Sequence, residues 1–425
     1  MARLKQALQL RKLAQRLATS DEAIASHPQL VFGALVKLKK ARPGLIAALS
    51  SGWGDQTIKR LKHPKLTLWR TLARPGQVKH DTTNKLLRDI QATGAWKEIQ
   101  TAKKQRDERL AAEPWNHRAR LTKADRLIKR LEQKLSEHGK VKLFFWHHYD
   151  SLGFLPRSWL NVLQTLRRRD WVIIVSSSGL NIDSQQQLER AGCIISERKN
   201  IGMCLGAYRD FCCLINEHKH LLNKIQNLVL CNDSILPVGG DEPFCNQIES
   251  VNSNLRIDTA QMTGMTDSIQ TTAYHIQSYF LSINSCLLQQ HCWPQFWERF
   301  NPYGDKDDLI QRGEIGLSQW LLKQGITLTA HYSLVSILLA KPGANPELKD
   351  LDLRQPKELN VTLMGWKALL EVGFPLIKKQ LLLDPPHFLP IAIPMSELSE
   401  HLSDKDEHLR NDLEQLLKSR FLKVC

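Results

Sequence analysis

The pattern of apolar and polar residues changes character near residue 140. Before that point, leucines recur at the three- and four-residue spacing of amphipathic helices, as in LTKADRLIKRLEQKL. After it, short apolar runs rich in β-branched and aromatic residues predict strands, and helical patterns separate them. The runs are VKLFFWHHY (141–149), WVIIVSSS (171–178), CIIS (193–196) and NLVLCNDS (227–234). This alternation favours an α/β fold in which helices cover both faces of a parallel sheet.

The remaining pattern divides the chain into three regions. Helices are predicted over 156–169, 183–192, 293–300 and 314–324, and strands over 274–284 and 326–333. Residues beyond 340 carry less β signal and two helical patterns, over 366–372 and 397–422. We therefore predict a basic helical region over 1–138, an α/β domain over 139–340 and a mostly helical extension over 341–425 that packs on the core.

Positive charge is concentrated in the first region. Residues 1–140 hold 31 Lys and Arg against 12 Asp and Glu, whereas residues 141–425 hold 28 against 31. Anionic lipid would suit this charge, at ~1 kcal/mol per basic residue near a membrane surface. Nucleic acid is a second interpretation, although the region lacks the sequence of any named nucleic-acid-binding module. In a third interpretation, the basic faces of the helices are exposed to water and bind no partner.

Cysteine usage and hydropathy bear on the cellular compartment. Of the nine cysteines, eight lie between Cys193 and Cys292, and none forms a C-x-x-C pair, which favours free thiols in a reducing compartment. The first residues, MARLKQALQLRK, carry charge where a secretory signal needs an apolar core. The longest uncharged run, 268–297, is interrupted by polar residues and is a poor membrane span. A cytoplasmic location is expected.

The first candidate for chemistry is the stretch NLVLCNDSILP (227–237). Its apolar run predicts a covered strand, so Asn232, Asp233 and Ser234 would lie at the carboxyl end, where open α/β sheets bind ligands. Asp233 could supply an oxygen ligand to a divalent cation that neutralises a diphosphate leaving group. An Asx turn would explain the same residues equally well.

Glycines before a predicted helix form a second candidate. Gly202 and Gly206 lie between a strand and a helix expected to begin near Gly206. They could let backbone N–H groups approach a phosphate at the helix N-terminus, or they could form a plain turn.

Three further groups lie near predicted element ends. His147, His148 and Asp150 follow the first strand, and we favour a loop lining a cleft over a zinc site because no second ligand pair has suitable spacing. Glu314 is expected near a helix start, where a favourable helix dipole competes with a general-base role. Gln277 and Ser278 would lie on opposite faces of one strand.

Several stretches, taken in order, resemble the rhamnan synthesis protein F family of glycosyltransferases. They are KNIGMCLGAYRD, LVLCNDSILP, MTGMTDS, HIQSYFLSIN, FWERF, EIGLSQWLLKQG and LMGWKALLEVGFPLIKKQLLLDPP, within residues 141–388. The resemblance implies a GT-A-like nucleotide-sugar transferase fold. It also implies transfer of a sugar, typically rhamnose, from a nucleoside diphosphate donor to a glycan or lipid-linked glycan of the cell surface.

The resemblance also assigns residues to roles. The donor side would comprise Asn200, Gly202, Gly206, Asn232, Asp233 and Ser234, and the acceptor side His275, Gln277 and Ser278. Glu314 would be the catalytic base with Asp267 as runner-up, and Asp233 would hold Mg²⁺ or Mn²⁺. Single-step displacement with inversion is the simpler mechanism.

One position departs from the family pattern. Cys204 stands where an acid is usual after Gly202, and a neutral thiol cannot replace a carboxylate as a metal ligand or as an acceptor for a ribose. The alternative function, which the basic region suggests, is a non-catalytic binding protein whose basic helical arm engages nucleic acid or an anionic membrane.

Overall fold

The computed structural model describes residue 121 and residues 124–137, 139–150, 152–269, 273–304, 306–340, 360–383, 398 and 402–424. The predictions for the basic region before Leu121 lie outside these residues, as does Cys425. The eight other cysteines are free thiols, which confirms that prediction for the described part of the chain.

A mixed, mostly parallel sheet lies at the centre of the fold, which confirms the predicted α/β class. Its strands are β1 (Val141–His148), β2 (Trp171–Ser177), β3 (Ile194–Glu197), β4 (Ile225–Asn232), β6 (Gln261–Ser268), β7 (His275–Ile276), β8 (Phe280–Asn284) and β9 (Thr327–Tyr332). The order is β3-β2-β1-β4-β8-β6-β7, with β9 also paired to β6. Strands β1 to β4 pair in parallel, whereas β8 is antiparallel to both β4 and β6. A separate two-stranded ladder joins β5 (Ile235–Pro237) to β10 (Leu376–Lys378).

Helices connect the strands. They are α1 (Ala124–Ser136), α2 (Arg157–Arg168), α3 (Ile182–Arg190), α4 (Met203–Glu217), α5 (Lys219–Leu222), α6 (Glu242–Ser253), α7 (Ser285–Leu288), α8 (Cys292–Arg299) and α9 (Lys306–Leu309). A π-helical turn (Ile310–Ile315) then leads into α10 (Gly316–Lys323) and α11 (Leu334–Ala340). The extension contains α12 (Val361–Met364), α13 (Trp366–Glu371), α14 (Lys379–Leu383), a 3₁₀ turn (Asp404–Asp406) and α15 (Glu407–Val424).

Apolar residues point to both faces of the sheet because alternate side chains of a strand face opposite ways. In β1, Phe144 and Trp146 join one core with α2, α6 and α15, whereas Leu143 and Phe145 join a second core with α1, α4 and α8. Burial on both faces explains why the central strands read as continuous apolar runs in the sequence.

Helix α1 belongs to the second core although it precedes the predicted domain boundary at 138. Leu127, Leu131 and Leu135 are buried there with strand residues of the sheet. A fragment that begins near Gly139 would expose this apolar face, so a stable truncation must retain the chain from Leu121 onward.

Some sequence predictions about local structure are wrong. The single strand predicted over 274–284 is two strands, β7 and β8, separated by a turn, so Gln277 and Ser278 do not occupy opposite faces of a strand. The helix expected near Gly206 begins at Met203 instead, and Gly202 precedes it with a left-handed φ of 74°.

Candidate functional site

Polar side chains converge where β1 and β4 end side by side. The chain leaves β1 towards β2 and β3 on one side and returns to β4 on the other, which makes this pair the switch point of the parallel strands. His147 is the register neighbour of Asn232, and the N–H of Asp233 donates to the His147 carbonyl over 3.1 Å. The carboxyl edge of β1 and β4 therefore carries the residues singled out from the sequence.

Asn232, rather than Asp233, forms the turn that follows β4. Its Oδ1 accepts a hydrogen bond from the Ser234 N–H over 2.9 Å, which is an Asx turn, and its Nδ2 donates to the Tyr208 hydroxyl over 3.3 Å. Asn232 therefore accounts for the Asx turn, and the carboxylate of Asp233 is free to make a different contact.

That contact is an ion pair with Lys379. The Lys379 Nζ lies 2.9 Å from Asp233 Oδ2, and both side chains are about seven-eighths buried, at 15% and 13% exposure. The Tyr149 N–H also donates to Oδ2, over 3.3 Å. Burial alone would raise the pKa of Asp233, but the Lys379 ammonium and the nearby His148 hold the pKa below its usual value. Asp233 is therefore a carboxylate at neutral pH.

A second lysine reaches the same place from the β10–α14 junction. Lys378 Nζ lies 3.4 Å from Ser234 Oγ and 4.2 Å from the centre of the Tyr279 ring. Burial lowers the pKa of this ammonium to about 8, and the charge of Glu314 opposes that shift. The sequence analysis gives neither lysine a role, although both belong to LMGWKALLEVGFPLIKKQLLLDPP, one of the stretches that resemble the family.

The donor-side glycines are explained by packing. A Cβ at Gly206 would lie 2.0 Å from the Ile201 carbonyl oxygen, and one at Gly202 would lie 2.6 Å from the Pro302 Cβ. Arg198 ties this turn to α4, since it donates to the Ile201 carbonyl over 2.7 Å and pairs with Asp210 at 2.9 Å. The phosphate role predicted for these glycines is not required to explain them. Asn200, from the same segment, is exposed.

Cys204 lies in the first turn of α4 and packs against the second core. Burial raises the pKa of its thiol to about 11, and the charges of Glu314 and Asp233 add to the increase. The residue that departs from the family pattern therefore lies beside the other candidates, and an acid at this position would join two existing carboxylates.

Glu314 lies within the π-helical turn in the middle of a long helical segment, so the predicted position near a helix start is wrong. Its Oε2 accepts hydrogen bonds from both the N–H, at 2.7 Å, and the hydroxyl of Ser278. Its Oε1 lies 3.6 Å from Nε2 of His275, whose Nδ1 donates to the Ala273 carbonyl. Single π-helical turns within helices often occur at functional sites.

Asp267, the other candidate base, and Gln277, from the predicted acceptor side, are held by structural contacts. Asp267 Oδ1 accepts the N–H of Leu334, the first residue of α11, over 2.6 Å. Burial raises the pKa of Asp267, and hydrogen bonds from Leu334 and Tyr274 oppose the increase. Gln277 accepts a hydrogen bond from Thr266 and donates to Asn360 over 3.1 Å. Glu314 is therefore better placed than Asp267 to accept a proton.

The strand-end histidines differ in their contacts. His148 lies against the Ser177 hydroxyl and the Phe154 carbonyl, and Asp150 accepts the N–H groups of Leu152 and Phe154. His147 and His148 are the last two residues of β1 rather than residues that follow it, and Asp150 lies in the loop after the strand. His147 is buried, and its Nδ1 has no hydrogen-bond partner among the described residues.

The pH dependence of stability should depend on His147. Burial, with a smaller effect of Arg198, lowers its pKa from 6.5 to about 3. Between these two pKa values the unfolded chain binds more protons at His147 than the folded chain does. The contribution of His147 to the free energy of unfolding is therefore fully present above pH 6.5, and it falls as pH decreases by about 1.4 kcal/mol per pH unit. Urea unfolding at about pH 7.5 and about pH 5.5 measures the loss.

The variant His147→Gln should lose less stability than the wild type over this pH interval. His220→Gln is the matched control, because the His220 side chain is 63% exposed at the protein surface. Identical losses in the wild type and His147→Gln would contradict the assignment.

Potential metal ligands cluster elsewhere in the described residues. The one group of three or more His, Cys, Asp or Glu ligand atoms there comprises Glu132, His218 and His220, on the surface around α1 and α5. Asp233 is not part of such a group, and one oxygen of its carboxylate is already paired with Lys379.

Comparison with known proteins finds a family that part of this chain resembles. Residues 172–337, from β2 to α11, match the model of the family described as rhamnan synthesis protein F. The match confirms the resemblance to this family over these residues. It includes Asp233 and Glu314 but ends before Lys378.

Two curated proteins resemble this chain at 25% and 27% identity. An "Uncharacterized protein y4gN" of Sinorhizobium fredii is 25% identical over 261 residues, which cover 60% of this chain and 64% of that protein. A "Virulence protein VirA" of Vibrio anguillarum is 27% identical over 269 residues, covering 59% of this chain and 82% of that protein. The chain therefore spans less than two thirds of the first relative.

Proposed function

We propose that the chain is a glycosyltransferase that moves a sugar, with rhamnose expected, from a nucleoside diphosphate donor to a cell-surface glycan or lipid-linked glycan. The observation that carries the proposal is the cluster at the β1–β4 switch point, where two lysines and a carboxylate meet beside a second, hydrogen-bonded carboxylate. A GT-A-like fold is part of the proposal, and the parallel order β3-β2-β1-β4 followed by antiparallel β8 supports it.

In the proposed reaction, the acceptor hydroxyl loses its proton to Glu314 as its oxygen attacks the anomeric carbon. The bond from that carbon to the diphosphate oxygen breaks, and its electron pair leaves with the diphosphate. The contacts with Ser278 fix the Glu314 carboxylate through Oε2, so Oε1 is the atom that would take the proton. One displacement of this kind inverts the configuration at the anomeric carbon.

A divalent cation at Asp233 stays a prediction. Mg²⁺ sites commonly use one or two carboxylates together with substrate phosphates. Asp233 supplies a single carboxylate, and a cation would compete there with the Lys379 ammonium at 2.9 Å. The fit is therefore poor, and no step of the proposed reaction depends on Mg²⁺ or Mn²⁺.

Binding of nucleotide sugars tests the proposal. Purified full-length protein is screened by calorimetry and thermal shift against a panel of nucleotide sugars that includes nucleoside diphosphate rhamnose. One member should raise the melting temperature more than its free nucleoside diphosphate does. A flat response across the panel would favour the alternative of a non-catalytic binding protein.

The basic region is proposed to dock the enzyme on the inner face of a membrane, where lipid-linked acceptors would be presented. None of the described helices is long and apolar enough to cross a membrane. Residues 1–120 hold 25 Lys and Arg against 9 Asp and Glu, which suits attraction to anionic lipid.

Removal of this region should abolish most vesicle binding. A chain that begins just before Leu121 keeps α1 in the core and should stay folded while losing most affinity for phosphatidylserine vesicles in sedimentation. Equal vesicle binding by both chains would exclude the membrane role. Salt-sensitive binding to nucleic acid in place of vesicles would support the alternative function.

A further inference from the structure

Two consecutive lysines direct their ammonium groups to one place. Lys378 ends β10 and Lys379 begins α14, and their Nζ atoms reach Ser234 and Asp233 respectively. Backbone bonds fix this arrangement, because Lys378 pairs with Ile235 in the β5–β10 ladder and the Lys379 N–H donates to the Ser234 carbonyl over 2.9 Å. The two charges are therefore held at the end of β4 before any ligand arrives.

The ammonium groups of the two lysines are neutralised in different ways. Asp233 pairs directly with Lys379, whereas Glu314 acts on Lys378 through its charge and forms no direct ion pair with it. The contacts of Lys378 are a 3.4 Å approach to the Ser234 hydroxyl and the face of the Tyr279 ring. An ammonium that is largely removed from water is costly without a direct ion pair, so this location favours an anionic ligand in contact with Lys378.

The donor groups also match a diphosphate. An ammonium has three N–H donors, and Lys379 uses one of them on Asp233. The donors that remain on both lysines lie beside the switch point, where a ligand of an α/β sheet is expected. Asp233 offers a metal ion only one carboxylate. The two lysines can instead neutralise the negative charge of a diphosphate at this position.

We propose that Lys378 and Lys379 together bind the donor diphosphate and stabilise it as the leaving group without a divalent cation. This inference rests on the proposed function and adds the residues that receive the negative charge. When the anomeric C–O bond breaks, its electron pair stays on the diphosphate oxygen beside the two ammonium groups, while the acceptor proton goes to Glu314.

Binding of inorganic diphosphate to the full-length protein tests the inference. Calorimetry is done in EDTA at physiological salt, which screens attraction to the basic region. The wild type should bind, and Lys378→Met, which keeps the aliphatic stem, should bind roughly 10- to 100-fold more weakly, as expected for loss of charge-assisted hydrogen bonds. Lys378→Arg should retain most of the affinity.

Lys142→Met is the matched control. Lys142 also lies over an aromatic ring, at 5.1 Å from the centre of Trp171, and pairs with Glu249, but it is near the opposite end of β1. Its removal should leave diphosphate affinity unchanged. Circular dichroism checks that each variant is folded, and Lys378→Gln replaces Lys378→Met if that protein does not fold.

Two results would overturn the inference. One is a wild type that binds diphosphate only when Mg²⁺ or Mn²⁺ is added, a result that does not depend on any variant. The other is unchanged affinity in a folded Lys378 variant that lacks the charge. Failure of the proposed function is a separate outcome: diphosphate would bind through Lys378, but no nucleotide sugar would be turned over.

Discussion

Glu314→Gln should lower the rate of sugar transfer roughly 10²- to 10⁴-fold, the usual contribution of a positioned general base. The amide oxygen of Gln can still accept the hydrogen bonds from Ser278, so the π-helical turn and donor affinity should be preserved. What is lost is a carboxylate oxygen able to take the acceptor proton. Steady-state kinetics with the donor found in the screen measure kcat, and calorimetry measures donor affinity.

Asp267→Asn is the control for this prediction because Asp267 is the other candidate base. Its carboxylate accepts the N–H of Leu334 and a hydrogen bond from Tyr274, so substitution should affect stability more than kcat. If Asp267→Asn abolishes transfer and Glu314→Gln does not, the two roles are reversed.

Asp233→Asn should lower transfer about 10²- to 10³-fold, the range seen when electrostatic stabilisation of developing charge is lost. The substitution removes the charge that holds the Lys379 ammonium at 2.9 Å, so that lysine is no longer fixed against the diphosphate. Stability should fall by about 1–3 kcal/mol because Lys379 loses a charged partner. Turnover and urea unfolding are measured on the same preparation.

Leu230→Ala is the control with the opposite profile. Leu230 is fully buried in β4, and truncation should cost about 2–5 kcal/mol of stability without removing a group from the site. Below its unfolding temperature this variant should transfer sugar at a near-normal rate. Near-normal transfer by Asp233→Asn would mean that the ion pair between Asp233 and Lys379 is only structural. If EDTA abolishes transfer by the wild type and added Mg²⁺ or Mn²⁺ restores it, Asp233 would be assigned to a metal site instead.

The parallel half of the sheet could be predicted because its strands are apolar on both faces, as in β1 and β4. Strand β6 could not, since its sequence QMTGMTDS is polar, yet all eight residues are buried. Its polar groups bond to neighbours, for example Thr263 to Thr329 at 2.7 Å and Thr266 to Gln277. Hydropathy does not reveal a strand whose polar side chains satisfy one another.

The sequence predicts some residues of the site but not the two lysines, because their contacts depend on residues far apart in the chain. Asp233 and Glu314 could be singled out from local sequence, but the partner of Asp233 is 146 positions away. Adjacent lysines ordinarily indicate a solvated surface. Their convergence depends on the β5–β10 ladder, and each of its strands has three residues, too few for a periodic signal.

The most direct measurement of the central claim is release of free nucleoside diphosphate from the nucleotide sugar that stabilises the protein, with a glycan acceptor present and EDTA in the buffer. The account predicts release by the wild type and by Leu230→Ala, and almost none by Glu314→Gln or Asp233→Asn. Equal release by the wild type and both site variants, or no release by any of them with or without added metal, would contradict a glycosyltransferase site at the β1–β4 switch point.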